Sequence, residues 1–299
     1  MMPDIVGDKV CNLDCVYCEL GPSDSAWMSK TVASQTHDLV LAEVNDFLQK
    51  SRAKIDHLVL ISNGEVTLCD GLGDLITGLR RFKIPVAVVT NGARLNEQTV
   101  RDSLIRADAV MLSLDAAEPD VYKKICRPLS DDLPAANELI EHYAAFRAYF
   151  SGELSLMVVL VAGRNDRPEY LRSLQEAVTR IKPESVRLST IGSPPADPEA
   201  RAVSEKFLHD TAGNLSRLVT AEVKSLNEPS FMPRAVADIR SAIVDFLAAR
   251  PATYMDIAEA FGFKAGDLNQ YLDQLAAEGL IVHKELHHGS YYTAKAERP

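Results

Sequence analysis

No apolar run in the 299-residue chain approaches the ~20 residues needed to cross a bilayer as a helix, so no helical membrane span is expected. Cysteine is sparse and odd in number, five in all, and the N-terminus lacks the basic-then-apolar pattern of a secretory signal. An odd count does not close into a full disulfide framework, and a reducing, cytoplasmic setting is expected. Excess positive charge is absent as well: 32 Lys and Arg stand against 42 Asp and Glu, a formal net charge of −10. No global field draws in phosphate backbones, and composition gives nucleic-acid binding no support. The remainder, 46% hydrophobic and 25% charged residues, suits one large globular domain with a small one beside it.

Three of the five cysteines are concentrated in Cys11-Asn-Leu-Asp-Cys15-Val-Tyr-Cys18, a C-x3-C-x2-C spacing. Thiolates are the usual ligands of iron–sulfur clusters, and a four-iron cluster normally takes four of them. Three leave one iron open to a substrate or cofactor. A structural zinc site would need a fourth Cys or His at short spacing, but the nearest His is His37, and Cys69 and Cys126 each stand alone. The spacing, with aromatic Tyr17 just before the third cysteine, resembles that of the radical S-adenosylmethionine (SAM) enzymes. The resemblance implies a [4Fe–4S] cluster on Cys11, Cys15 and Cys18, with SAM on the open iron. It also implies a low-potential electron donor such as a flavodoxin or ferredoxin. The reaction it implies is reductive cleavage of SAM to methionine and a 5′-deoxyadenosyl radical, which takes hydrogen from a substrate. The cofactor carries that chemistry and the protein orients it.

Short β-branched runs alternate with longer amphipathic stretches, the pattern of repeated βα units on a parallel sheet. Strands are predicted at Asp8–Val10, His57–Ser62, Val86–Thr90, Ala109–Leu114, Leu154–Val161 and Ser185–Thr190. Helices are predicted at Asp38–Lys50, Leu72–Phe82, Glu97–Ile105, Leu133–Tyr149 and Pro168–Ile181. The fold class expected is α/β, a partial (β/α)6 TIM-like barrel of the radical SAM type over residues 1–228, and function gathers where its strands end.

After the second strand comes Ser62-Asn63-Gly64-Glu65-Val66-Thr67-Leu68, in which Gly64 lets backbone approach closely and Glu65 offers an acceptor for an ammonium group. It is similar to the Gly-Gly-Glu motif that binds the SAM amino group, with Asn63 at the first glycine. Thr90-Asn91-Gly92 and Ser113-Leu114-Asp115 end the next two strands. Ser113 and Asp115 are candidates for the ribose or aminocarboxylate of SAM; the structural alternative makes Asn91-Gly92 a plain turn and Asp115 a helix N-cap. Arg164, with Asn165 and Asp166, closes the fifth strand and Ser189 and Thr190 the sixth. The cofactor contacts expected are therefore Tyr17, Gly64, Glu65, Asn91, Ser113, Asp115 and Arg164.

Beyond the cysteines, Val-Val-Thr-Asn-Gly, Leu-Ser-Leu-Asp-Ala with Arg127-Pro128 downstream, and Gly192-Ser-Pro-Pro-Ala-Asp197 resemble iron–sulfur oxidoreductases grouped with tRNA wybutosine (wyosine) synthesis enzymes. The resemblance covers roughly residues 8–205 and implies cofactor chemistry far better than substrate. An RNA base and a ribosomally made peptide are both expected substrate classes. Only ten residues precede Cys11, fewer than such relatives carry, so either a short first strand or a natural start further upstream is expected, with a barrel open on that edge.

Asn227-Glu-Pro229-Ser-Phe-Met-Pro233 marks a change of style, and a second domain is expected over residues 229–299. Helices at Ala235–Ala249, Tyr254–Phe261 and Ala265–Glu278, a turn at Gly262, and strands at Ile281–Leu286 and Ser290–Thr293 resemble a winged helix-turn-helix. Seven Lys and Arg against nine Asp and Glu from Phe231 onward argue against DNA. The third helix offers Asp267, Asn269, Gln270 and Asp273, with Lys264 at its start. A peptide, RNA or self-association surface fits better. His283, His287 and His288 read as an exposed wing tip. The alternative from another class is a transcription regulator whose cluster senses redox state or SAM.

Overall fold

The computed structural model describes residues 9–23, 37–50, 55–192, 194–223, 239–249, 251–261, 263, 268–286 and 289–295. It divides into two compact units, Met1–Ile191 with Ala196–Lys224, and Gly192–Pro195 with Ser225–Pro299. The expected boundary at 228/229, together with Asp8, Gly262, Lys264, Asp267, His287 and His288, lies outside the described residues.

The larger unit is built on six parallel strands whose spatial order is their chain order. They are β1 (Leu58–Leu60), β2 (Val86–Thr90), β3 (Ala109–Ser113), β4 (Glu153–Leu160), β5 (Ser185–Thr190) and β6 (Thr220–Val223). Parallel neighbours need a crossover. Helices α2 (Leu72–Arg80), α3 (Gln98–Leu104), α4 (Pro119–Cys126), α5 (Ala136–Tyr149), α6 (Pro168–Ile181) and α7 (Glu205–Leu215) supply it, with α1 (His37–Lys50) preceding β1. The α6 sequence shows the logic: Leu174, Ala177, Val178 and Ile181 fall on one face at helical spacing and all four are buried. On the strands, alternate residues such as Val110 and Leu112 are wholly buried, each contributing ~1.5–3 kcal/mol by leaving water.

Four sequence expectations shift. The predicted first strand is reduced to one parallel bridge, Val10 with Gly64, because the chain leaves the sheet at once for the cysteine loop. Strand β6 was not anticipated: its Thr-Ala-Glu-Val sequence buries no side chain, so there was no apolar run to read. Helix α4 was also missed, a short helix announced only by Pro119 at its start. Helix α5 begins at Ala136 rather than Leu133, since Pro134 disfavours helical backbone at the residue before it.

The smaller unit contains α8 (Ile239–Ala249), β7 (Ala252–Thr253), α9 (Tyr254–Phe261), α10 (Asn269–Ala277), β8 (Ile281–Leu286) and β9 (Gly289–Ala294). Its antiparallel sheet has the order β7-β9-β8. Ile243, Leu247, Ile257, Leu268, Leu272, Leu275 and Ile281 form its own core.

Candidate functional site

The cysteine loop contains no strand or helix of its own and is fastened by backbone bonds to α4. Asp14 N donates to the carbonyls of Cys126 and Arg127, each at 3.1 Å, and Val16 N donates to Ile125 O at 2.8 Å. Leu13 pairs antiparallel with Pro128, and Leu129 N donates to Asn12 O at 3.1 Å. Arg127 adopts a left-handed conformation (φ 45°), and its guanidinium meets the Asp14 carboxylate at 2.8 Å. The Arg127-Pro128 segment singled out in the sequence is thus the dock of the cysteine loop. On the other side Asp197 N donates to Val16 O at 2.9 Å, while Arg164 pairs with the Asp197 carboxylate at 2.7 Å. Arg164, expected to touch a cofactor, braces this second dock.

Cys11, Cys15 and Cys18 are all free thiols and partly exposed. Burial pushes the Cys11 thiol up to about 12, aided by the negative charge of Glu65. Burial also raises Cys18, against the nearby Lys9 ammonium. Among the described residues, no group of three or more His, Cys, Asp or Glu side chains stands ready-made around a metal position. Three unpaired thiols on one loop nevertheless fit an iron–sulfur cluster by donor chemistry, because such clusters take thiolate ligands and a bound cation drives off the thiol protons. Two orphaned polar atoms, one on the cysteine loop and one just past β1, fit a polar cofactor: Asn12 Nδ2 and Ser62 Oγ are both buried without a hydrogen-bond partner.

Glu65 is 1% exposed and its carboxylate ties the loop after β1 to the end of β2. Its Oε1 accepts from Thr67 N at 2.9 Å, from Thr67 Oγ1 at 2.6 Å and from Thr90 Oγ1, and its Oε2 accepts from Asn91 N at 2.8 Å. Oε1 is saturated and only Oε2 keeps room for another donor. Gly64 has φ 147°, and a Cβ there would lie 1.8 Å from the Val10 carbonyl oxygen. What glycine admits at this position is the backbone just before Cys11.

Asp115, 3% exposed, is engaged in the same inward manner. Its Oδ2 accepts from Tyr17 Oη at 2.6 Å and from Cys126 Sγ at 3.4 Å, and its Oδ1 accepts from Val159 N at 2.8 Å. Burial raises its carboxyl above the usual range against these bonds. Asp115 therefore ties Tyr17 of the cysteine loop to β4, and the N-cap of α4 is Glu118 instead. Ser113 is half-buried and its hydroxyl has no hydrogen bond among the described residues, which leaves it open to a ligand. Asn91 is the meeting point of the two halves: its Nδ2 reaches Asn12 Oδ1 at 2.7 Å and Cys11 Sγ at 3.8 Å.

The structure gives four residues roles that the sequence reading did not assign them. Asn12 lies inside the cysteine triplet and was passed over as spacer. Tyr143 Oη, from α5, donates to the carbonyls of Asn91 at 2.8 Å and Ser113 at 2.9 Å. Asn165 Nδ2 donates to the carbonyls of Asp115 and Val159, each at 2.8 Å. Cys126, read as an isolated thiol, faces Cys15, since the Leu13–Pro128 pairing continued by two residues sets them opposite. A hydrogen bond with Cys15 and burial raise the Cys126 thiol well above its ordinary value. Only the Pro after Arg127 signalled any of this in sequence. A cavity of about 580 Å³ lies elsewhere, lined by Leu95, Arg101, Ile105 and Tyr149 on the helical layer.

Comparison with known proteins identifies the frame of this site. The family description Radical SAM superfamily matches residues 8–174, from just before the cysteine loop to within α6. The chain belongs to the radical SAM superfamily. SAM and an iron–sulfur cluster are the cofactors that membership implies. Among relatives, a GTPase Obg of Brachyspira hyodysenteriae is 30% identical over 287 residues, 93% of this chain and 41% of that protein. A UPF0026 protein of Helicobacter pylori is 27% identical over 227 residues, covering 73% of this chain and 72% of the relative. Of solved structures, Streptococcus suis SuiB bound to precursor peptide SuiA gives a TM-score of 0.57 at 11% identity, covering 75% of this chain and 48% of that one. A radical SAM methyltransferase from Sphaerobacter thermophilus gives 0.54 at 17% identity, covering 72% and 63%. At such identities the likeness shows the radical SAM fold alone. The chain spans less than half the length of the Brachyspira relative and of SuiB, and it contains no G-x-x-x-x-G-K-[ST] phosphate loop.

Proposed function

We propose that this chain is a radical SAM enzyme in which Cys11, Cys15 and Cys18 hold a [4Fe–4S] cluster and the strand-end rim holds SAM. The observation that carries the reading is the placement of three free thiols on one loop, where Asn12 Nδ2 on that loop, Ser62 Oγ just past β1 and the Ser113 hydroxyl have no protein partner. When bound, the cluster and SAM supply reductive cleavage of the sulfonium, with the electron coming from a flavodoxin or ferredoxin. The chain's residues position and enclose. Glu65 Oε2 accepts from the SAM ammonium while Thr67, Thr90 and Asn91 fix its direction. Ser113 serves the ribose or carboxylate, and Tyr17 and Asp115 hold the cysteine loop against β4. Arg164 acts through the loop's dock on the Asp197 segment, and Gly64 through its bridge to Val10, just before the loop.

The substrate class is a peptide or an RNA base, in a cytoplasmic setting. The structural likeness to SuiB, solved with its precursor peptide, favours a peptide. The second unit, residues 229–299 in this reading, is a winged-helix module. Three helices and the β7-β9-β8 sheet support that assignment. With Asn269, Gln270 and Asp273 on or beside α10 and no Lys or Arg within that helix, DNA is not the expected partner.

The test is anaerobic reconstitution with iron and sulfide, followed by SAM and a strong reductant. Wild type is expected to form 5′-deoxyadenosine, and the Cys11, Cys15, Cys18→Ala triple variant none. Equal nucleoside from both, or none from iron-loaded wild type, overturns the proposal.

A further inference from the structure

We infer that Asn91 sets the reduction potential of the cluster by donating a hydrogen bond from its carboxamide to the Cys11 sulfur. The inference rests on the cluster assignment proposed above and adds to it a role that is electronic rather than cofactor-binding.

Its basis is how completely Asn91 is aimed. The backbone N–H is taken by Glu65 Oε2 at 2.8 Å, and the backbone carbonyl accepts from Tyr143 Oη at 2.8 Å. The side-chain Oδ1 accepts from Ala93 N at 3.0 Å, an Asx turn that fixes the plane of the amide. One side-chain N–H goes to Asn12 Oδ1 at 2.7 Å, and the direction left for Nδ2 is the Cys11 sulfur at 3.8 Å. Gly92 leaves no slack: a Cβ there would lie 2.2 Å from Tyr143 Oη, so the tyrosine packs directly against the turn.

Electrostatics gives the donor something to offset. The buried Glu65 acts on Cys11 as a negative charge, and negative charge beside a cluster disfavours the added electron. A donor to a ligating sulfur favours the reduced state, since potentials follow net charge and hydrogen bonds to the sulfurs. Asn91 therefore makes the cluster easier to reduce than the Glu65 side of the rim alone would allow.

The experiment compares reconstituted wild type, Asn91→Ala, Asn91→Asp and Tyr143→Phe by iron and sulfide content, then by redox titration followed by electron paramagnetic resonance. Asn91→Asp keeps an oxygen for Ala93 N and removes the donor, which covers the case in which Asn91→Ala misfolds. At the wild-type midpoint, the ratio of reduced to oxidised cluster is expected to fall about fivefold in Asn91→Ala, the effect of one ordinary hydrogen bond. It should fall further in Asn91→Asp, while Tyr143→Phe, which loosens the support without removing the donor, keeps the wild-type midpoint. Full iron with an unchanged midpoint in both Asn91 variants overturns the inference and leaves the cluster assignment standing. So does an equal shift in Tyr143→Phe. Loss of iron in both Asn91 variants, with metal-free stability intact, makes Asn91 an assembly residue and also overturns it. Wild type that takes up no cluster fails the proposed function instead.

Discussion

The two units differ in what they bury. Asn12, Glu65, Thr67, Thr90, Asp115, Ser155, Asn165, Thr190 and Thr211 are all buried in the larger unit, whereas the buried side chains described in the smaller one are apolar or, at Tyr291, aromatic. Removing a polar group from water costs free energy unless a partner is supplied. The larger unit meets that cost with networks at its strand ends, where Glu65 and Asp115 each collect donors from several segments. The smaller unit has the economy of a packing module. The contrast places the chemistry before any cofactor is considered, because polar atoms are buried where a fold must hold a precise arrangement rather than merely a compact one.

The comparison is broken most severely at Glu65. Glu65→Ala strands the donors of Thr67, Thr90 and Asn91, and a loss of about 4 kcal/mol is expected from denaturant unfolding of the metal-free chain. A loss under about 1 kcal/mol would mean that this network stabilises nothing. Leu272→Ala is the counterpart in the smaller unit: an apolar deletion costing about 3 kcal/mol. Hydrogen exchange should show protection lost in α8–α10 and retained in β2–β5; equal loss in both would deny that the units have separate cores. Asp115→Asn puts an amide where Tyr17 and Cys126 donate, for an expected loss of about 1–2 kcal/mol and faster cleavage of the cysteine loop by protease. Unchanged proteolysis would show that Tyr17 is not what fastens the loop.

The smallest effect is at Asp197, whose carboxyl is held below its ordinary value first by the Glu199 backbone N–H and then by Arg164. A carboxyl lowered by folding stabilises the folded state at neutral pH, and that contribution is lost as pH falls through the lowered value. Asp197→Asn should cost less than about 1 kcal/mol at pH 7, as expected of a partly exposed pair. The melting-temperature gap from wild type should close below the ordinary carboxylate value of 3.8. A gap that persists in acid would assign the effect to packing.

Much of the larger unit was legible because its strands are apolar and its helices periodic: β2 and α6 occupy their predicted ranges. What escaped had no such pattern. Strand β6 is polar and half-exposed, and the first strand shrank to a bridge because the cysteine loop needs its chain. The cysteines and Glu65 stood out in the sequence as candidates, by spacing and by motif. The inward engagement of Asp115, the bracing by Arg164 and the nearness of Cys126 did not, since each is a tertiary contact: Asp115 meets Tyr17 across 98 positions, Arg164 meets Asp197 across 33, and Cys126 meets the loop where α4 turns back at Arg127. Sequence shows which groups carry chemistry; the long-range hydrogen bonds decide which face a ligand and which hold the others still.

The account stands most directly on the electron paramagnetic resonance spectrum of anaerobically reconstituted, photoreduced wild type before and after SAM is added. A four-iron signal that changes on SAM addition, and is absent from the triple cysteine variant, is the expected result. A chain that holds no cluster, or a cluster signal indifferent to SAM, would contradict the claim that the loop of Cys11, Cys15 and Cys18 and the strand-end rim form one cofactor site.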